Sequence, residues 1–444
     1  MKARSAFRRG PLFLAVLVLA SLAGPVRAES VAEAPPLLLI SMDGFRWDYC
    51  ALHPADSPHI RQLAREGVSA RELIPVYPSN TFPNHYSIVT GLYPAHHGII
   101  NNEMFDPRLG AFFHYTLPAA AGDARWWGGE PIWITAVKQG RASASYYWVG
   151  SEAAVEGLRP TYSKHFNMDV YNSQPFDVRI DQVVAWLRLP PAQRPAVITF
   201  YLEETNGAGH KFGPDSLELA QAVKLQDGRI GALLDRLAAE HLPPINVIIV
   251  SDHGMTEVSP DRVMALDDYL DPATVEVDFQ SPAMGLRPLK GTTAKDIVRA
   301  LAKLPHAKAY LTDNQPAAPG PSGWWHRLDV GVLHRADYLP ARFHLTGNPR
   351  IPDVWIVPEL GWHIQTRANA KLPASHDQKG DHGFDNAYQA MHGILIAHGP
   401  SFRSDGTVID PVENIHIYNL MCAVLHLTPA PNDGDDRLVR AMLR

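Results

Sequence analysis

The sequence predicts an α/β protein in which a mostly parallel sheet is covered by helices on both faces. Three observations carry that prediction. Four short runs, PPLLLIS (35–41), PAVITFYL (195–202), INVIIVS (245–251) and HGILIA (392–397), are continuously apolar rather than alternating, as strands buried on both faces are. Helical patterns lie between them, at SPHIRQLAREG (57–67), SLELAQAVKLQDGRIGALLDRLAAE (216–240) and ENIHIYNLMCAVL (413–425), which is the alternation of a doubly wound fold. Finally, the polar clusters ISMDGF, YLEETNGAGH and VSDHG each begin where an apolar run ends. In open parallel sheets the crevice beyond the carboxyl ends of the strands is where ligands bind.

The chain has 444 residues, 46% of them hydrophobic, and a formal charge of -6. That balance excludes a broadly basic nucleic-acid surface, so no duplex nucleic acid is expected as a partner. The opening MKARSAFRRG is basic, PLFLAVLVLASLAG is apolar, and VRA precedes Glu29. This pattern reads as a secretory signal peptide over residues 1–28. Its apolar run is shorter than the roughly 20 residues a membrane span needs. The expectation is a periplasmic or secreted protein with no stable membrane anchor after cleavage; an uncleaved anchor is the alternative. Cys50 and Cys422 are the only cysteines, and they form either one bridge or two buried free thiols.

The strand–helix rhythm breaks at residue 274. TVEVDFQSPAMGLRPL reads as extended chain, TTAKDIVRALAKL as a helix, AKAYLT as a strand and QPAAPGPSGWW as a turn-rich loop. The expected organisation is a catalytic α/β domain over 29–273 and 371–444, with 274–370 inserted as a small α+β cap.

The chemistry-bearing residues sit at the ends of the apolar runs. Asp252-His253 follows IIVS, Asp43 lies one residue beyond LLLISM, and His210 and His382 sit in glycine-bracketed loops. Buried carboxylates need a partner, and together these oxygen and nitrogen donors form a set suited to zinc. In SNTFPNHYSIVTG (79–91), Thr81 stands at a helix opening. It is either a plain helix cap or a nucleophile. A free threonine hydroxyl is a poor nucleophile unless a metal or base activates it, and a helix opening directs backbone N–H groups toward phosphoryl charge.

Nearly end to end, the sequence resembles the nucleotide pyrophosphatase/phosphodiesterase family of the alkaline phosphatase superfamily. The resemblance runs through LLLISMDGFRWDY, TFPNHYSIVTGLYPAHHGIINNEM, WWGGEPIW, YLEETNGAGHKFGP, SDHGM, HGFDN and ENIHIYNLMC. It implies an alkaline-phosphatase-like core and two Zn(2+) ions. It also implies hydrolysis of nucleotide phosphodiester or pyrophosphate bonds through a phosphothreonine on Thr81, with release of nucleoside 5'-monophosphate. Asn102 would hold a non-bridging phosphoryl oxygen. One zinc would take Asp43, Asp252, His253 and the Thr81 oxygen; the second would take His210, His382 and the residue at position 206. The family has aspartate there and this chain has Asn206. An amide carbonyl coordinates without charge, so weaker occupancy of the second site is expected. A working substituted site, a variant of reduced activity and a deliberately trapped enzyme all remain open. Glu203 and Glu204 lie close enough in sequence to compensate, but are read as structural.

The resemblance also places Phe82 and Tyr171 as aromatics sandwiching a base, with Tyr201 at a third pocket position. Stacking is worth roughly 1–3 kcal/mol per base, which suits a small nucleotide substrate. The same rings would serve a choline head group through cation–π contact, so lysophospholipid or choline-type phosphodiesters are the alternative. Monoester or sulfate ester hydrolysis and a catalytically silent binding protein are the further readings. His392 is expected to be structural, and His96 and His97 to serve the loop before Asn102.

Overall fold

The computed structural model describes residues 34–240, 242–280, 282–313, 337–370 and 377–444. The leader and the QPAAPGPSGWW loop fall outside the described residues. Among the described residues the central sheet has nine strands. Its middle is formed by Leu37–Met42, flanked in parallel by Val197–Leu202 on one side and Asn246–Val250 on the other. Ser143–Tyr146 and Tyr162–Lys164 extend it in parallel beyond Val197–Leu202.

Every residue of the three central strands is buried. Alternate residues point to opposite faces, and two apolar layers receive them. Leu37, Leu39, Val197, Ile248 and Val250 join one core; Leu38, Ile40, Met42, Ile198, Phe200, Val247 and Ile249 join the other. The second core is closed by helices Pro58–Glu66 and Leu217–Ala239 through Ile60, Leu63, Leu219, Val223, Ile230 and Leu233. The first is closed by Thr81–Thr90 and Ile417–Leu425 through Ile88, Val89, Ile417, Leu420 and Met421. Burying such a side chain stabilises by roughly 1.5–3 kcal/mol, so both faces of these strands contribute to holding the site's base in place.

The sheet departs from full parallelism in one place. Gly393–His398, the expected HGILIA strand, runs antiparallel to both Asn246–Val250 and Val68–Ile74. An apolar run buried on both faces has the same pattern whichever way it points, so its direction was not legible. Val68–Ile74 carries no strand signal in the sequence, because its inside–outside pattern is irregular.

Residues 275–311 and 354–358 build a separate antiparallel sheet, ordered Val275–Phe279, Met284–Pro288, Val354–Pro358, Ala307–Leu311. Its own core contains Met284, Leu286, Ile297, Leu301, Val354 and Ile356. Helix Ala294–Ala300 opens with a capping box between Thr293 and Asp296. Trp355 leaves this core for the main one and donates from Nε1 to the Tyr77 hydroxyl at 2.9 Å. Cys50 and Cys422 are both free, and burial pushes both thiols up to about 12. No helix among the described residues is long and apolar enough to cross a membrane.

Candidate active site

The carboxyl ends of three neighbouring parallel strands deliver the polar cluster. Asp43 follows Met42 and is anchored by its backbone N–H to Leu202 O at 2.8 Å. Asp252 and His253 follow Val250, and Glu203 to His210 follow Leu202. Gly44 makes the turn at a positive φ of 66° and donates its N–H to Asp252 Oδ1 at 3.2 Å. A Cβ on Gly44 would lie 3.0 Å from Asn206 Cα, so this residue lets the turn after Met42 touch the helix backbone at Asn206 directly.

Around His253 four donors converge. Its Nε2 lies 3.4 Å from Asp43 Oδ1, 3.1 Å from Asp252 Oδ2 and 3.2 Å from Thr81 Oγ1. Nδ1 is 2.8 Å from Gly254 O, which leaves Nε2 as the free donor atom. Asp43 Oδ1 and Asp252 Oδ2 are buried with no hydrogen-bond partner. Donors about 3.3 Å apart are what tetrahedral zinc with ~2.0 Å bonds requires, so these residues fit the ion. Burial, and after it the charge of Asp252, pushes Asp43 well above the usual carboxylate range. Burial acts on Asp252 in the same direction, yet His253 and His85 hold it well below that range. Two buried carboxylates side by side need a cation between them.

The second cluster is built differently. His210 is on a helix, Glu204–Phe212, rather than in the expected loop. Asn206 and His210 are therefore i and i+4 neighbours on one helix face. The glycines that suggested a loop are contact glycines: a Cβ on Gly209 would lie 2.8 Å from Met255 Cε. His210 Nε2 and His382 Nε2 are 3.1 Å apart, while their Nδ1 atoms face Gly380 O at 3.0 Å and Ser79 O at 3.1 Å. Asn206 Oδ1 is buried without a partner. Two imidazole nitrogens and an unsatisfied amide oxygen again fit a metal ion. Burial lowers both histidines, and for His382 the neighbouring His253 and His210 add to it; neutral imidazole is the ligating form. The rings of His253 and His382 stack at 3.6 Å between centroids, joining the clusters.

Sequence reasoning missed Asp381 and His363. Asp381, His210 and His382 present donor atoms within 4.8 Å of one another. Asp381 Oδ1 accepts the His382 N–H at 2.9 Å and lies 3.7 Å from His210 Nδ1, and Oδ2 lies 3.0 Å from His363 Nε2. Burial raises Asp381, but His363 and then His210 and His382 more than reverse this and hold it below the ordinary range. The signal available was the acid immediately before His382 in GDHGFDN.

Thr81 opens the helix Thr81–Thr90, with Asn80 as its cap residue. The Asn102 carbonyl oxygen accepts the Phe82 N–H at 2.9 Å, leaving the Asn102 amide nitrogen as a donor. Asn101 Oδ1 accepts from Asn80 Nδ2 and Asn102 N, both at 2.7 Å. His85 bridges this helix to the first cluster, with Nδ1 3.0 Å from Thr81 O and 3.2 Å from Asp252 Oδ2, and Nε2 2.8 Å from Ser41 Oγ.

Each of the three aromatics expected at the substrate has its own contacts. Phe82 is half-buried against Phe113, Tyr115 and Trp127 at 5.8, 5.9 and 6.2 Å. Tyr171 is buried, with the Arg179 guanidinium 3.7 Å above its ring and its hydroxyl donating to Glu204 Oε1 at 2.5 Å. Tyr201 donates its hydroxyl to Asp43 Oδ2 at 2.6 Å, so its polar end serves a carboxylate of the first cluster. Glu204 is also paired with Arg229, in keeping with its structural reading. His392 lies 2.5 Å from Glu72 Oε2 and 2.9 Å from Asn386 O. His96 pairs with Asp433 and His97 with Ser87 Oγ.

A doubly covered sheet with two donor clusters at its carboxyl edge is the arrangement of an alkaline-phosphatase-like α/β enzyme. The solved structures that match it bear this out. Murine ectonucleotide pyrophosphatase/phosphodiesterase 5 superposes with a TM-score of 0.80 at 30% identity, over 92% of this chain and 100% of that one, and an inactive threonine-to-alanine variant of it in complex with AMP matches equally. The type I phosphodiesterase / nucleotide pyrophosphatase model matches residues 37–385, and the chain belongs to that family. Ectonucleotide pyrophosphatase/phosphodiesterase family member 3 of Rattus norvegicus is 38% identical over 422 residues, covering 93% of this chain. Venom phosphodiesterase of Macrovipera lebetinus is 37% identical over 427 residues, again covering 93%. The chain spans 44% and 46% of the lengths of these two relatives.

Proposed function

We propose that this chain hydrolyses phosphodiester or pyrophosphate bonds of nucleotides and releases nucleoside 5'-monophosphates, with Thr81 as nucleophile. The observation that carries the reading is the position of Thr81 Oγ1, 3.2 Å from His253 Nε2, among the unpartnered oxygens of Asp43 and Asp252. Zinc held by Asp43, Asp252, His253 and Thr81, and by Asn206, His210 and His382, would supply Lewis-acid stabilisation of phosphoryl charge and favour the threonine alkoxide. Thr81 Oγ1 bonds to phosphorus, the bond to the leaving oxygen breaks, and the hydroxyl proton ends on the leaving group. Water then cleaves the phosphothreonine, restoring the hydroxyl and freeing the monophosphate. The Asn102 amide nitrogen, oriented through Phe82 N–H, donates to a non-bridging oxygen as charge builds on it.

The nucleotide is favoured over choline-type diesters by the AMP bound to the inactive threonine variant of the murine relative. The likeness to a venom phosphodiesterase supports the expected export to the periplasm or medium, and the separate core of the antiparallel sheet supports 274–370 as an inserted cap. The test is an acid-quenched turnover of a nucleotide phosphodiester followed by peptide mass spectrometry. Phosphate on Thr81, absent in Thr81→Ala, is expected. Turnover with no phosphothreonine at any time point would overturn the covalent route, and faster cleavage of glycerophosphocholine than of nucleotide diesters would overturn the substrate class.

A further inference from the structure

The donors of the second cluster, Asn206, His210 and His382, carry no formal negative charge when the histidines are neutral, whereas the first cluster has two carboxylates. A divalent ion held only by neutral donors in a buried site lacks the electrostatic attraction that offsets its lost hydration. The carboxylate found beside the second cluster is Asp381, on the Nδ1 side of His210 and away from the facing Nε2 atoms. Its side chain is 11% exposed, Oδ1 is held by the His382 N–H, and Oδ2 is faced by His363. Glu204 is committed elsewhere, to Arg229 and Tyr171.

We propose that Asp381, fixed by His363, is the positioning residue that supplies the second metal centre with the negative charge Asn206 lacks, acting through the His210 ring rather than as a direct donor. Gly380 O, 3.0 Å from His210 Nδ1, orients the ring, and the Asp381 carboxylate, 3.7 Å from the same nitrogen, adds negative charge behind it that favours a cation on Nε2. This inference rests on the two-metal reading above and assigns a role to a residue that the donor set itself does not include.

The test is a double-mutant cycle read by metal binding on the full chain. Zinc stoichiometry and the dissociation constant of each ion, by chelator competition, are compared for the wild type, Asp381→Asn, Asn206→Asp and the double variant. Asp381→Asn should weaken the second ion by about tenfold or more and leave the first unchanged. In the Asn206→Asp background the same change should cost under about threefold, because the charge is then supplied directly. Equal losses in both backgrounds would mark Asp381 as merely structural and overturn the inference, as would no loss at all. A wild type binding two ions with an inert Asp381 defeats only this inference; a wild type binding fewer than two defeats the two-metal reading with it. If the thermal midpoint without metal shows Asp381→Asn to be unfolded, His363→Gln takes its place. It keeps the carboxylate but loses its anchor, and is held to the same outcomes.

Discussion

The two donor clusters lie against each other through stacked histidines, yet they are built on opposite principles. The first is drawn from the ends of adjacent buried strands, is sealed from solvent, and concentrates two carboxylates, each with one buried oxygen that accepts no hydrogen bond. The second hangs on a helix and a loop, leaves His210 partly accessible, and places its charge one residue away from its donors. A strand end fixes a side chain by the full packing of the sheet; a helix face and a loop fix it through local hydrogen bonds. The first cluster is thus expected to be the rigid, tightly binding half and the second the adjustable half.

Removing the nucleophile gives the largest break between the halves. Thr81→Ala should lower kcat/KM on a nucleotide phosphodiester by about 10^4-fold or more while second-ion affinity stays as in the wild type. A residual rate within tenfold of wild type would take Thr81 out of the reaction. Next is Tyr201, whose hydroxyl positions Asp43 at 2.6 Å. Tyr201→Phe should weaken the first ion by about 10–100-fold with no shift in the second, as read by chelator competition; equal shifts in both would mean the clusters do not bind independently. Chelator titration of the unmodified protein should release zinc in two phases, the second-cluster ion leaving at about tenfold or more lower chelator. A single phase would erase the distinction drawn above.

The last comparison uses a buried imidazole outside both clusters as a reference. Burial pushes His97 down to about 3, while an unfolded histidine titrates near ~6.5. Between those values only the unfolded chain binds the proton, so this contribution is intact above about pH 6.5 and falls as pH drops toward 3, by up to about 1.4 kcal/mol per unit. Denaturation of the metal-free protein across pH 4–7 should show a shallower acid slope for His97→Gln than for wild type. An unchanged slope would mean His97 is protonated in the folded state.

Much of this was legible in the chain. LLLISM, VITFYL and NVIIV announced buried strands because both faces are covered, and the residues just past them announced the first cluster. What was hidden depends on direction and on three-dimensional neighbours. HGILIA gave no hint of running antiparallel. The GAGH segment looked like a loop because Gly209 answers to Met255, a residue at a sequence distance no local pattern reports. The sequence could not report that the Tyr171 and Tyr201 hydroxyls bond Glu204 and Asp43, because those partners are set by the fold. Asp381 was not legible because its partners His210 and His363 lie far from it in sequence.

Gly44 sets a length that none of the donor residues controls. Because it has no side chain, the turn after Met42 rests directly on the main chain at position 206, and the spacing between the halves is written in backbone contact. Residue 206 can then exchange carboxylate for amide while keeping its place: the substitution alters the charge of the site and leaves its ruler intact. Such a site can be retuned for another ion or another rate one side chain at a time, provided position 44 stays bare.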